Sequence, residues 1–80
     1  MEAPRQLRSA ADQQDDITIT YRDYDDENVI VVDFGPGVEA SLDVVGDTAI
    51  VVANGEQYEF EVPEEASDIS VNDGMLVIEE

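Results

Sequence analysis

From residue 17 onward, apolar and polar side chains alternate in short segments. Residues 17–22 and 57–62 carry isoleucine, tyrosine, phenylalanine or valine at every second position, and this period of two predicts half-buried strands. Residues 29–34 form an almost continuous apolar run, which is typical of a central strand. The full set of predicted strands is 17–22, 29–34, 41–45, 48–53, 57–62, 69–71 and 75–78.

The segments between these runs contain turn residues. Gly46-Asp47 separates two predicted strands by two residues, and Asn54-Gly55 is a strong hairpin signal within the three residues between the next two strands, so both predict tight hairpins. Asn72-Asp73-Gly74 predicts a third hairpin. Gly35-Pro36-Gly37 must be irregular, since proline lacks the N–H that a sheet needs. Pro63 ends the strand before it.

Seven short strands with no long amphipathic helix predict an all-β fold: a single compact, seven-stranded antiparallel β-sandwich over residues 17–80. Residues 1–16 are polar, and Leu7 is their only large apolar residue apart from Met1. A short helix there is marginal without packing, so we predict a flexible, disordered tail over residues 1–16. The alternative, an arm that binds client proteins, requires exposed apolar groups that this segment almost lacks.

The composition predicts a strongly acidic surface. The chain has 21 Asp plus Glu against three basic residues, Arg5, Arg8 and Arg22, and its net charge is -18. This field repels nucleic acid and anionic lipid, so neither is expected as a partner. Salt screens acidic self-repulsion, and the composition therefore indicates a protein of a salt-accumulating, archaeal-type microbe. No apolar run reaches the roughly 20 residues of a membrane span, and no signal peptide is recognisable, so the expected location is the cytoplasm.

The chemistry available to this chain is limited. It has no Cys, His or Lys, so no Ser hydroxyl has an activating base, and we expect neither catalysis nor a cofactor. Asp23, Asp25 and Glu27 have a spacing that hard cations favour, but a calcium loop requires Gly and a carboxylate where Asn28 and Phe34 stand. We therefore predict no specific metal site and only weak cation condensation.

Several short motifs, in order, resemble the small heat-shock protein (alpha-crystallin, Hsp20-like) domain family. Residues 33–38 look like that family's acidic-Leu-Pro-Gly-Val step, with an additional glycine. Residues 60–63 resemble its apolar-x-apolar-Pro strand end, and Gly74-Met75-Leu76 stands where the family has Gly-Val-Leu. The resemblance covers residues 17–79 and implies an ATP-independent chaperone of the holdase type.

Two departures from this family bear on assembly. Only Asn54-Gly55-Glu56 stands where many members insert a long loop with a strand exchanged in dimers, and no Ile-x-Ile-type tail follows the last predicted strand. The expectation is therefore a monomer or weak dimer and not a large oligomer. The reduced form also resembles CS-type co-chaperone domains, which implies the alternative of an adaptor that docks on one defined partner.

The resemblance also suggests where partners bind. In the family's sandwich, the strands that correspond to residues 42–45 and 69–71 border a cleft that receives an extended segment. The candidate client or partner groove is formed by Leu42, Val44, Ile69 and Val71, which have the alternative of being ordinary core. A third interpretation is an acidic decoy that occupies basic proteins, but general adaptation to salt explains the uniform spread of acidic residues better. Asp43, Asp68 and Asp73 flank the groove and are expected to discourage aggregation of exposed edges.

Overall fold

The computed structural model describes residues 2–80, and in it all seven alternating segments are strands. Their ends differ from the predicted ends by no more than two residues. One helix precedes them. The elements are α1 (Arg5–Gln13), β1 (Thr18–Tyr24), β2 (Glu27–Asp33), β3 (Ala40–Val45), β4 (Thr48–Ala53), β5 (Glu56–Glu61), β6 (Asp68–Asn72) and β7 (Met75–Glu79).

The strands form two antiparallel sheets. The first has the order β1-β2-β7-β6 and the second the order β3-β4-β5. Four of the five strand pairings are hairpins between consecutive strands, whereas β2 pairs with β7, the last strand of the chain. The central strands of the two sheets, β2, β7 and β4, carry runs of four or five consecutive apolar residues, as expected for strands with neighbours on both sides.

The turns follow from local backbone chemistry. Asn54 and Asp73 adopt φ values of 52° and 51° and are each followed by a glycine with positive φ, as two-residue hairpin turns require. The acidic connection between β1 and β2 is shorter than predicted, because Tyr24 still pairs with Glu27. Only Asp25 and Asp26 remain in that turn.

One hydrophobic core contains residues of both sheets. The first sheet contributes Ile30, Val32, Leu76 and Ile78, and the second contributes Ala49, Val51, Ala53 and Phe60. No polar or charged residue among positions 2–80 is buried. The radius of gyration of 11.7 Å is close to the roughly 12 Å expected for a compact chain of this length. The fold is therefore a compact, mostly β structure of two antiparallel sheets.

The prediction of a disordered tail over residues 1–16 is wrong for residues 2–16, and Met1 lies outside the described residues. Residues 5–13 form α1, and Ala3, Leu7 and Ala10 are buried in the core. Leu7 and Ala10 recur at the spacing of one helix face, and Ala3 lies just before the helix. The prediction failed because it considered only the stability of an isolated helix, whereas packing against the sheets stabilises this helix in the folded protein.

The helix closes one flank of the molecule. It packs against β1 and β5, which are edge strands of different sheets. On the opposite flank the other two edge strands, β3 and β6, lie side by side, and no helix contacts them within the described chain. We call this second flank the β3–β6 seam, and it is the side of the molecule where strand edges stay accessible.

Candidate functional site

The four residues predicted to form a groove all lie on the β3–β6 seam. Leu42, Ile69 and Val71 are half-buried and pack against the core. Val44 is 44% exposed. The structure thus brings the four residues to one flank, where three of them also complete the core.

The strand register determines where the backbone groups of these residues point. In a two-residue hairpin the closing pair is hydrogen-bonded, and every second residue along the strand then directs its N–H and C=O to the partner strand. The closing pairs are Val45–Thr48 and Asn72–Met75. By this alternation, the backbone N–H and C=O groups of the four seam residues point away from their own sheets. The four seam residues are Leu42, Val44, Ile69 and Val71.

These groups have no backbone partner in a neighbouring strand, since β3 and β6 are edges of separate sheets. Each edge therefore offers free donors and acceptors, while the side chains at the same positions are apolar and three of the four pack against the core. An extended peptide can recognise both features at once by adding a strand and placing alternate side chains into the seam.

An open cleft of about 790 Å³ extends the seam at one end. The sequence analysis identified one residue that lines this cleft, Val71, and missed most of the other lining residues. The irregular Gly35-Pro36-Gly37 segment was the available signal, because a break of this kind between strands often carries a loop that shapes a site. The remaining lining residues are Gly37, Val38, Glu39, Ala40, Ser41, Val52, Asn54, Gly55, Asn72, Asp73 and Gly74.

A close backbone approach holds this wall in place. Val38 donates its N–H to the Gly35 carbonyl at 3.4 Å, and the Val38 carbonyl oxygen lies against the α-carbon of Gly74. Phe34 donates its N–H to the Gly74 carbonyl at 3.3 Å. The turn after β2 is thereby fixed to the β6–β7 hairpin, so the cleft has a defined shape.

Carboxylates surround the seam without entering it. Asp43 projects from the outer face of β3, and Asp68 and Asp73 stand at the two ends of β6; all three are exposed. Negative charge at a strand edge opposes pairing between identical edges. A partner strand with basic side chains would be favoured over a second acidic chain at this seam.

The opposite flank is held by a small polar network. The Gln14 amide donates to the Glu56 carboxylate at 2.7 Å and to the Tyr58 hydroxyl at 3.1 Å, and that hydroxyl donates to Glu56 at 2.7 Å. The Tyr58 ring stacks on Phe34 with centroids 5.8 Å apart. These contacts join the end of α1 to β5.

This network shifts two pKa values. The hydrogen bonds from Tyr58 and then Gln14 lower the pKa of Glu56 below its ordinary value of 4.5. Burial, followed by the hydrogen bond to Glu56, raises the pKa of Tyr58 above 10.0. At neutral pH the Glu56 carboxyl stays ionised and the Tyr58 hydroxyl stays protonated. The network therefore holds α1 on β5 and has no group that titrates near neutral pH.

The candidate cation ligands do not converge. Among residues 2–80 no three Asp or Glu side chains form a group that could hold a metal ion. Asp23 pairs with Asn28 across the β1–β2 hairpin while Glu27 pairs with Tyr24, which places Asp23 and Glu27 on opposite faces of the sheet.

The fold and the seam define a class: a small, mostly β protein with two antiparallel sheets and one pair of accessible edge strands. The chain belongs to a family described as a family of unknown function (DUF7127), whose model matches residues 1–80. No curated protein matches the chain. No solved structure matches it either. None of the helices within residues 2–80 is long and apolar enough to span a bilayer.

Proposed function

We propose that this protein is an Hsp20-like β-sandwich that binds extended segments of non-native proteins at the β3–β6 seam, as an ATP-independent holdase. Two antiparallel sheets around one core support the sandwich assignment. The placement of the two strands with the predicted groove residues on one flank supports the assignment of the binding surface. In this proposal the protein is not an enzyme and works without a cofactor.

The observation that carries the proposal is the coincidence of two features at Leu42, Val44, Ile69 and Val71. By the register, their backbone groups point to free sheet edges. All four side chains are apolar; Leu42, Ile69 and Val71 pack against the core, and Val44 is 44% exposed. Non-native chains present both extended backbone and apolar side chains, so they match this surface in both respects.

An adaptor that docks on one defined partner is the second candidate. The cleft beside Val71 favours it, because its wall is built by fixed turns and has a defined shape. A surface of fixed shape selects one partner, whereas a holdase needs only apolar edges.

Substitution at two adjacent positions of β3 tests the seam. Val44 lies on the seam side, whereas Val45 projects from the outer face and is 63% exposed. We expect Val44→Glu to abolish suppression of client aggregation, measured by light scattering of a heat-labile client in multimolar salt. Val45→Glu adds the same charge one residue away and should behave like the unsubstituted protein.

Three outcomes separate the candidates. Equal protection by both variants would reject the seam as the binding surface. A lack of protection for several unrelated clients would reject the holdase, and saturable binding of one extended peptide that Val44→Glu abolishes would then favour the adaptor.

The tight Asn54-Gly55 turn leaves no exchange loop between β4 and β5, so we propose a monomer or weak dimer. We also propose that the protein works in the cytoplasm of a salt-accumulating microbe.

A further inference from the structure

The outer face of the first sheet carries an ordered pattern of side chains. The register aligns its outward residues in three rows that cross β1, β2, β7 and β6. The middle row is Thr20–Val31–Val77–Ser70. The row on one side is Arg22–Val29–Glu79–Asp68, and the row on the other side is Thr18–Asp33–Met75–Asn72.

The centre of this face is apolar and uncharged. Val31, Met75 and Val77 are half-buried, and none of them packs against the core. In the second sheet the middle row of the outer face is Asp43–Ile50–Glu59, where two carboxylates flank one apolar residue. In a chain of net charge -18, an uncharged row across four strands marks a place where another acidic molecule can approach.

The charges in the row Arg22–Val29–Glu79–Asp68 indicate the partner that can bind this face. Arg22 is the only basic residue of the seven strands, and it stands at the β1 end of a row whose β6 end is Asp68. A two-fold axis parallel to the strands, passing between β2 and β7, brings β1 of one copy over β6 of the other. Each Arg22 then faces Asp68 of the second copy, and Val31 faces Val77.

We propose that a second copy of this chain docks face to face on the outer surface of the β1-β2-β7-β6 sheet with this symmetry. The pattern is self-complementary, as an interface between identical subunits requires. A two-fold axis perpendicular to the strands would instead place Arg22 opposite Thr18 and leave the cation without a carboxylate.

The size of the face sets the strength of the contact. Four strands about 4.8 Å apart and three rows about 6.8 Å apart cover roughly 400 Å² per copy. Stable dimers bury about 800 Å² per partner, so this dimer should form only at high protein concentration. Since each copy carries a charge of -18, dimerisation should strengthen with salt until the repulsion between the copies is screened.

The experiment is sedimentation equilibrium from micromolar to millimolar protein at an ionic strength of about 1 M. The unsubstituted chain should shift from the mass of one chain to that of two. Val77→Glu should remain monomeric throughout. Val45→Glu, which introduces the same charge at a 63% exposed position on the outer face of the other sheet, should dimerise normally. Circular dichroism should show that both variants are folded.

A charge exchange tests the symmetry itself. Arg22→Asp and Asp68→Arg should each weaken dimerisation about tenfold, because each change loses two ion pairs and creates two like-charge contacts. The double variant should recover nearly the original dissociation constant. A mass of one chain up to millimolar concentration, normal dimerisation of Val77→Glu, or failure of the double variant to recover would each overturn the proposal.

Discussion

Gly74 stands where two separate constraints meet. Its φ is 75°, and a β-carbon built there would overlap the Val38 carbonyl oxygen. The first constraint is local and belongs to the β6–β7 turn. The second comes from a segment far away in the chain, so Gly74 links the hairpin to the wall of the cleft.

Gly74→Ala should therefore be much more destabilising than Gly46→Ala. Gly46 also has positive φ, at 61°, but open space surrounds its missing β-carbon. Both changes cost about 1–3 kcal/mol of backbone strain, and Gly74→Ala adds about 1–3 kcal/mol of steric overlap. Thermal melts measure the difference, at about 4–8 °C per kcal/mol for a domain of this size. Equal shifts would contradict the close approach of Val38.

Tyr58 and Glu56 make the attachment of α1 to β5 depend on pH at both extremes. Because the folded pKa of Glu56 is lowered, its stabilising contribution is present above about 4.5 and is lost as pH falls through the folded pKa. Because the folded pKa of Tyr58 is raised, its contribution is present below about 10 and is lost as pH rises through the folded pKa.

An absorbance titration of tyrosinate checks the alkaline half of this prediction. Tyr58 is half-buried and hydrogen-bonded to Glu56, and its pKa is raised above 10.0, so its tyrosinate absorbance should appear above pH 10. Tyr58→Phe should remove this high-pH part of the titration curve. If the variant keeps it, the raised pKa does not belong to Tyr58.

At the residue scale, alternation predicted the strand faces well. Phe60 is 2% exposed and Glu59 is exposed, as the period of two requires. Tyr21 lies on the predicted inward face yet is 52% exposed, and its hydroxyl accepts the N–H of Ala3, just before α1, at 3.3 Å. The contact between Val38 and Gly74 was not predictable, since no periodicity records which distant backbone approaches a turn.

At the scale of elements, α1 has little stability of its own. Pro4 precedes it without a side-chain cap, and its first turn has no acidic residue and its last turn no basic one. Arg5 lies at the positive end of the helix dipole and Asp12 near the negative end, which are both unfavourable positions. The helix therefore depends on the burial of Leu7, which is 0% exposed.

Leu7→Ala should release α1 from the two sheets. Removal of a fully buried leucine side chain costs about 2–5 kcal/mol, and a nine-residue helix does not survive alone in water. Hydrogen exchange should show loss of protection at residues 5–13 while the strands stay protected. Ser9→Ala, at an exposed position of the same helix, should leave exchange unchanged. Unfolding of both sheets in Leu7→Ala would mean that the helix is part of the single cooperative unit.

The elements differ in how far sequence could predict them. The strands carry their own signal in the period of two, so all seven were predicted. The helix has only two buried positions, Leu7 and Ala10, and a single large side chain gives a weak hydrophobic period. The seam residues were placed by family resemblance, whereas the cleft wall depends on long-range packing that local patterns do not encode.

At the scale of the whole molecule, charge opposes compactness. None of the 21 acidic side chains is buried, so all of them remain on a surface with extents of 33 × 26 × 21 Å. Two like charges 10 Å apart in water repel by about 0.4 kcal/mol, and at about 0.01 M salt the Debye length of roughly 30 Å spans the molecule. The summed repulsion is comparable with a total stability of about 4–12 kcal/mol.

The fold should therefore depend on salt. Dilution from about 3 M to 0.01 M salt at neutral pH should lower the melting temperature strongly and reduce the β signal in circular dichroism. Lowering the pH toward the pI of about 4.1 should partly replace salt, because protonation removes the same charges. A melting temperature that is constant across the dilution would show that the core outweighs the repulsion.

The pairing of β2 with β7 has a consequence for the order of folding. The hairpins β1–β2, β3–β4–β5 and β6–β7 close through turns of two residues, which form within microseconds. The β2–β7 ladder instead joins residues 29–33 to residues 75–79, and long-range pairing of this kind is the slow step in β-rich domains. On the ribosome the β3–β4–β5 meander can form early, whereas the first sheet must wait for its central strand. Until β7 is synthesised, the apolar faces of β1 and β2 are themselves the kind of surface that molecular chaperones bind.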